Sequence, residues 1–180
     1  MTGDDLPGIE LRIRRALLHL RDDPAITTPI DPGRWFGQYQ AAEARVRELP
    51  TALNHGELAP QQLGRTAAAA GGRLVPLDLE TMALLPRWTD VAAVVHDLSR
   101  HSGRTQQDLL GVYLREDERL TGERIEPDVA WTEVVRTKVV TGVQALPWLM
   151  SMRAHLLVGP TVPDAVAVLA GDLTELDTAD

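Results

Sequence analysis

Apolar residues recur at helical spacing over most of this chain. Ile13, Leu17 and Leu20 fall on one helical face, which is typical of an amphipathic helix with one buried side. Residues 9–20 are therefore predicted to form the first helix. A second helix is predicted over residues 35–49, where the apolar spacing continues until a proline ends it.

The chain from Trp88 onward has the same helical character. Thr105 and Asp108 have the spacing of a capping box, in which each side chain bonds the other residue's backbone N–H, so a helix is predicted to begin there. A later apolar pattern meets Pro147, and we expect the helix to be interrupted at this residue.

Residues 51–80 differ from the rest of the chain because their apolar runs are short and a Gly-Gly pair stands at 71–72. This pattern predicts a loop followed by one small β-hairpin. The fold class is therefore mainly α (α+β), with a single domain over residues 1–171. The acidic end, residues 172–180, is expected to be a frayed tail.

The composition narrows the possible functions. An apolar content of 44% over 180 residues is enough to bury one core. The net charge of −8 gives no electrostatic support for nucleic-acid binding, and the absence of cysteine excludes disulfides and thiolate metal sites. No apolar run has the length of a membrane span, and we expect a cytoplasmic protein. The arginine-rich composition, with Lys138 as the only lysine, suggests a GC-rich bacterial genome.

Three polar residues near the predicted hairpin have the spacing that phosphoryl transfer requires. Transfer to a hydroxyl needs a carboxylate to orient that hydroxyl, and an amide and a second carboxylate to hold Mg²⁺ against the nucleotide phosphates. Glu57 and Gln62 stand five residues apart on one predicted loop, and Asp78 follows the hairpin. This order predicts that the three side chains converge.

Three motifs carry a resemblance to a known family. Residues 55–62, HGELAPQQ, resemble the His-Gly-Asp-Leu-x-Pro-x-Asn loop of the aminoglycoside phosphotransferase and choline-kinase-like family. Residues 77–80, LDLE, are similar to its Ile-Asp-Phe-Glu strand, and residues 86–92, PRWTDVA, to its Pro-x-x-x-Asp-Leu-Ala segment. The resemblance implies the helical C-lobe of a protein-kinase-like fold, with the hairpin carrying the remnants of the catalytic loop and the metal strand.

The resemblance assigns roles to five residues of this chain. It places Glu57 at the position of the catalytic base, and Gln62 and Asp78 at the positions of metal ligands when a nucleotide–Mg²⁺ complex binds. His55 would be a buried structural histidine bonded to backbone near the metal strand. Asp90 would bond the backbone of the catalytic loop.

The departures from the family pattern concern the chemistry. The family's Asp and Asn are Glu57 and Gln62 here, so each functional group sits one methylene further out. A misplacement of about 1 Å can lower a rate roughly a hundredfold. The 54 residues before His55 are predicted to be helical, which leaves no room for the family's nucleotide-binding N-lobe, and Lys138 lies too far downstream to clamp phosphates. We therefore expect Mg²⁺ and ATP to bind only in a complex with a partner.

Three hypotheses follow from these departures. The preferred one is a degenerate phosphotransferase-like protein that acts as a non-catalytic binding or scaffold subunit, in a bacterial natural-product or peptide-modification pathway. The second is the C-lobe subunit of a split kinase that phosphorylates a small molecule or a peptide hydroxyl together with a partner chain. In both, a protein partner or a second copy would cover the apolar face left by the N-lobe, and a peptide is a candidate substrate. The third is a helical domain with a chance motif.

Overall fold

The computed structural model describes residues 6–56, 58, 62–67, 71–152 and 161–179. This part of the chain is mainly helical with a small antiparallel β region, which confirms the predicted fold class at that level. No helix in the described ranges is long and apolar enough to cross a membrane. The elements in chain order are α1 (Leu6–Arg21), α2 (Pro32–Glu48), β1 (Thr51–Asn54), β2 (Leu63–Arg65), β3 (Leu74–Pro76), a 3-10 helix (Leu79–Thr81), β4 (Ala83–Pro86), α3 (Thr89–Ser102), α4 (Gln106–Thr121), α5 (Pro127–Met152) and α6 (Val162–Ala179).

The chain divides into two compact units, and the first takes residues 1–46 and 138–180. The single domain expected over residues 1–171 stays a prediction. The first unit contains α1, α2, the later turns of α5, and α6, whose apolar side chains recur at helical spacing and are buried. Burying one such side chain contributes about 1.5–3 kcal/mol. Its core includes Ile13, Leu17, Leu20, Phe36, Tyr39, Val139, Val143, Leu146, Val166, Leu169 and Leu173.

Residues 172–179 of the acidic end belong to α6, so the expectation that this part is a frayed tail is wrong. Leu173 and Leu176 are buried on the inner face of this helix. The Asp172 carboxylate accepts a hydrogen bond from the buried ammonium of Lys138, so this carboxylate is neutralised inside the unit. Apolar burial at helical spacing thus outweighs the acidic composition that suggested disorder.

Pro147 lies inside α5 without ending it, so the predicted interruption is wrong. A proline in a helix lacks the N–H that would bond the carbonyl four residues earlier, here that of Val143. Val143 and Leu146 are both buried. Packing on this face therefore holds the helix together across the missing hydrogen bond.

The second unit takes residues 47–137 and contains the four strands, α3, α4 and the first turns of α5. Trp88 is fully buried at its centre, donates its indole N–H to Glu133 and meets the ring of Tyr113 edge-on at 6.1 Å. Burial in this core, with the charge of the nearby Asp117, raises the pKa of Tyr113. The buried core cluster consists of Trp88, Ala92, Val95, Leu110, Leu114, Ala130 and Val134.

The β region contains the predicted hairpin and a second pair of strands that was not predicted. In the hairpin, β2 and β3 are antiparallel with Leu63 opposite Pro76. The second pair joins β1 to β4, with Thr51 opposite Pro86, so the hairpin is inserted between its two strands. Because β1 and β4 are far apart in the sequence, no short turn joins them, and the local sequence pattern therefore did not predict their pairing.

The capping box at the start of α4 is confirmed. The Thr105 hydroxyl accepts a hydrogen bond from the Asp108 N–H at 3.0 Å, and the Thr105 N–H donates to the Asp108 carboxylate at 3.3 Å. The Thr105 hydroxyl also donates to this carboxylate, and these bonds lower the pKa of Asp108. The residue types of the sequence thus fixed where this helix begins.

The leucines at the acidic end of α6 should contribute strongly to stability. We expect Leu173→Ala to lower the free energy of unfolding by about 2–5 kcal/mol, because the substitution leaves a cavity in the core. The matched control is Val168→Ala on the same helix, where the side chain is 42% exposed and the expected change is within about 0.5 kcal/mol. Urea unfolding followed by circular dichroism measures both, and equal small losses would mean that this end of the chain is frayed.

Candidate functional site

His55 follows β1 directly and is buried, with 6% of its surface exposed. Its Nε2 lies 2.6 Å from the carbonyl oxygen of Leu77. Because a carbonyl only accepts hydrogen bonds, Nε2 carries the proton and donates it. The imidazole therefore ties the end of β1 to the residue that follows β3. Its Nδ1 is buried without a hydrogen-bond partner among the described residues.

Asp90 holds the backbone of the same loop from the other side. Its two carboxylate oxygens accept separate hydrogen bonds, from the His55 N–H at 2.5 Å and from the Gly56 N–H at 3.0 Å. Asp90 lies in the first turn of α3, where a negative charge is favoured by the helix dipole. The loop after β1 is thus fixed to the N-terminus of α3 by a bidentate, charge-assisted contact.

Asn54 is a third member of this framework, and the sequence reasoning missed it. The residue is buried, and its amide donates to the carbonyl oxygens of Ala52 at 2.9 Å and Leu85 at 3.2 Å. Its side-chain oxygen accepts the N–H of Asp90 at 3.2 Å. The side chain therefore joins β1, β4 and α3. The available signal was a polar residue at the last position of the strand, directly after Ala52 and Leu53.

Thr81 and Gly56 complete the contacts of the loop backbone. The Thr81 hydroxyl, at the end of the 3-10 helix, donates to the carbonyl oxygen of His55 at 2.7 Å. Gly56 has a φ of +89°, and a Cβ at this position would lie 2.7 Å from the Thr81 carbonyl oxygen. Only glycine fits here, because both the backbone conformation and the space exclude a side chain. The Gly of the His-Gly pair thus has a steric reason in this structure.

Gln62 and Asp78 are brought to the same end of the hairpin. The Leu77 N–H donates to the Gln62 carbonyl oxygen at 2.7 Å, which extends the β2–β3 ladder by one pair. Asp78 is the next residue and is exposed, with φ and ψ of 58° and 63°. Asp is one of the few non-glycine residues that tolerate this left-handed conformation. Its carboxylate is thus presented to solvent beside the pair that contains Gln62.

Glu57 lies outside the described residues, as do residues 59–61. The predicted convergence of Glu57, Gln62 and Asp78 therefore stays a prediction, and with it the choice between a kinase-like loop and a chance motif. Within the described ranges no group of three or more His, Asp or Glu side chains has the arrangement of a metal site. A Mg²⁺ bound with a nucleotide needs fewer, since phosphates and waters supply the remaining ligands.

Lys138, the only lysine of the sequence, belongs to the first unit. Its side chain is 7% exposed and is salt-bridged to Asp172. A buried ammonium with a carboxylate partner is held in place, because separating the pair would leave an uncompensated charge. This lysine is therefore part of the packing of α5 against α6.

Comparisons with protein-family models, with curated proteins and with solved structures found no match for this chain.

The bidentate contact of Asp90 should be sensitive to loss of one acceptor. In Asp90→Asn the amide NH₂ would face a backbone N–H, so we expect the free energy of unfolding to fall by about 1–3 kcal/mol. Amide hydrogen exchange should show faster exchange at Gly56 or His55. Asp97→Asn, on the same helix, is the control and should leave both measurements unchanged. Unchanged exchange at both amides in Asp90→Asn would contradict the proposed role of this contact.

The close approach at Gly56 can be separated from its backbone conformation. Gly103 also has a positive φ, +69°, but a Cβ there would meet nothing within 4 Å. Gly103→Ala should therefore cost only the conformational strain, about 1–2 kcal/mol. Gly56→Ala should cost clearly more in urea unfolding, because its Cβ would also collide with the Thr81 carbonyl oxygen. Equal losses in the two variants would argue against the tight contact.

Proposed function

We propose that this chain is a phosphotransferase-like binding subunit without transfer chemistry of its own. The observation that supports this function best is the hydrogen-bonded framework around the loop after β1. His55 bonds the backbone that leads into Asp78, and Asp90 bonds the backbone at His55 and Gly56. These are the contacts that the family resemblance implies for the two structural residues.

The framework and the chemistry of the loop differ in how far they follow the family pattern. Three residues of the framework have the residue types of the family pattern: His55, Gly56 and Asp90. The positions that would act on a substrate and a metal, Glu57 and Gln62, each have a side chain one methylene longer. Family residue types in the framework beside longer side chains at the reactive positions favour binding over phosphoryl transfer, which depends on positioning within about 1 Å.

Nucleotide binding by this chain has little further support. Phosphotransferases of this kind clamp the phosphates with a lysine from the lobe ahead of the catalytic loop. Here the described residues ahead of β1 form the helices α1 and α2, which contain no lysine. Lys138 is engaged with Asp172. A nucleotide would therefore need a phosphate clamp from outside these residues.

A partner is part of the proposal. We propose that a partner protein or a second copy covers apolar surface near the loop, in a cytoplasmic complex of a bacterial natural-product or peptide-modification pathway. The described β region exposes several leucines, and exposed apolar clusters are typical of interaction surfaces. A peptide bound in the same region is a candidate substrate of the complex.

The alternative function is the C-lobe of a split kinase. The observation that favours it is the position of Gln62 and Asp78 at one end of the hairpin. In a complex whose partner supplies the nucleotide-binding lobe, these two side chains would hold Mg²⁺ and Glu57 would orient the substrate hydroxyl. The ion would bridge the nucleotide phosphates and neutralise charge during transfer.

Transfer assays on the chain and on its complex distinguish the two functions. We expect the purified chain to show no Mg²⁺-dependent ATP binding by calorimetry, and no transfer of labelled phosphate to choline, an aminoglycoside or a Ser/Thr peptide. The complex copurified from the native host should show no transfer that depends on Asp78. Asp78→Asn is the suitable variant, because Asn removes the charge and still tolerates the left-handed backbone.

Glu80→Gln is the matched control, since it removes a neighbouring carboxylate within the same turn. Transfer by the complex that is lost in Asp78→Asn but kept in Glu80→Gln, with the complex intact, would establish the split kinase. Transfer by the purified chain alone would reject both functions.

A further inference from the structure

Exposed apolar side chains are concentrated in the β region. Of the fourteen large apolar side chains exposed among the described residues, six lie between residues 51 and 86. Scattered exposed leucines are normal on a protein surface, but clusters are typical of interaction sites. The six are Leu53, Leu74, Leu77, Leu79, Met82 and Leu84.

Five of these residues lie on the β1–β4 pair or on the segment that leads into β4, and together they are called the apolar strip: Leu53, Leu77, Leu79, Met82 and Leu84. Leu53 and Leu84 are direct cross-strand partners, exposed by 65% and 72% on the same face of the β1–β4 pair. Met82 precedes Leu84 by two residues in extended backbone and therefore points to the same face. Leu79 begins the 3-10 helix that leads into Met82, Leu77 lies two residues earlier, and both side chains are about half exposed.

The strip is carried by backbone that is held in place. The Leu77 carbonyl oxygen accepts the His55 imidazole proton, and its N–H bonds Gln62. The Met82 N–H donates to the Leu79 carbonyl oxygen, and the Thr81 hydroxyl donates to the His55 carbonyl oxygen. The exposed side chains thus stand on a fixed scaffold, and a preorganised surface loses less entropy when it binds.

The charged residues of the segment 77–84 are both acidic. Asp78 and Glu80 alternate with Leu77 and Leu79 along the chain, and both carboxylates are exposed. Within the described part of the chain no salt bridge to either is present. The surface therefore offers leucine side chains interleaved with unpaired negative charge. A complementary partner is a peptide segment that has apolar side chains with arginine or lysine beside them.

We infer that the apolar strip is the docking surface for a basic, leucine-bearing segment of another protein chain. The inference rests on the proposed function and names the chemistry of the partner subunit. A second copy of this chain fits less well, because each copy carries a net charge of −8 and would bring its own Asp78 and Glu80 toward the strip. An anionic membrane surface is disfavoured by the same charges.

A labelled synthetic peptide tests the inference. The probe carries leucine and arginine in amphipathic spacing, and fluorescence anisotropy measures its binding to the full chain. We expect saturable binding that weakens at least about tenfold in Leu77→Ser with Leu79→Ser, the loss produced by about 1.4 kcal/mol. Asp78→Asn with Glu80→Gln should weaken binding severalfold at low salt, with a smaller effect at high salt.

Three controls make the outcome decisive. Leu11→Ser with Leu18→Ser makes the same change of polarity at exposed positions on α1, and should leave binding unchanged. A peptide in which serine replaces leucine tests charge without apolar contact, and equal binding of that peptide would overturn the inference. So would equal binding by the strip variants, or a dimer in sedimentation that the strip variants abolish. Urea unfolding of each variant verifies its fold.

The inference and the proposed function can fail separately. Phosphate transfer by the purified chain would reject the proposed function whatever the peptide does. If the wild-type chain does not bind the peptide and also shows no transfer, only the docking surface is rejected.

Discussion

The arrangement of the β region depends on the two hydrogen bonds that Asp90 accepts from the loop backbone. A carboxylate that receives two N–H groups at once fixes both the position and the orientation of that backbone. With its own N–H held in this way, His55 donates from Nε2 to the Leu77 carbonyl oxygen. Asn54 adds a contact to the N–H of Asp90 itself, so the strand before the loop and the helix after the sheet are joined at one point. Removing this contact would release β1, the loop and the start of the 3-10 helix together.

The contacts at this point are between segments far apart in the sequence. The β1–β4 pair encloses the hairpin, and His55 and Thr81 bond across the same enclosed segment. Closing a longer loop adds little entropy cost, since each doubling of length costs only about 0.6 kcal/mol. Small side chains and backbone groups thus suffice to close the region, and its apolar residues are not all needed for its own core. Leu53 and Leu84, which face each other across the β1–β4 pair, are both exposed.

The sequence predicted those parts of the fold that depend on local chemistry. The helices follow from apolar spacing, and the residue types of Thr105 and Asp108 are enough to place the start of α4. Tertiary packing overrode local rules at Pro147, where buried neighbours keep the helix intact, and at the acidic end of α6. The hydrogen-bond partners of Asn54 and Thr81 could not be predicted, because each side chain bonds backbone that only the folded sheet brings near. The family resemblance implied the roles of His55 and Asp90, but the lengths of their hydrogen bonds to the backbone depend on the same long-range closure.

Asp78 illustrates why a motif residue does not decide a function. The resemblance gives this carboxylate a role as a metal ligand, but the structure gives it a second, independent reason to be an aspartate. The chain leaves β3 through a left-handed residue, and Asp, like Asn and Gly, occupies that region at low cost. The turn would require such a residue whether or not a metal ever binds, so its presence carries less weight than the motif suggests. Glu57 and Gln62 depart from the motif that the sequence resembles, and these departures bear on the proposed loss of transfer and not on the turn at Asp78.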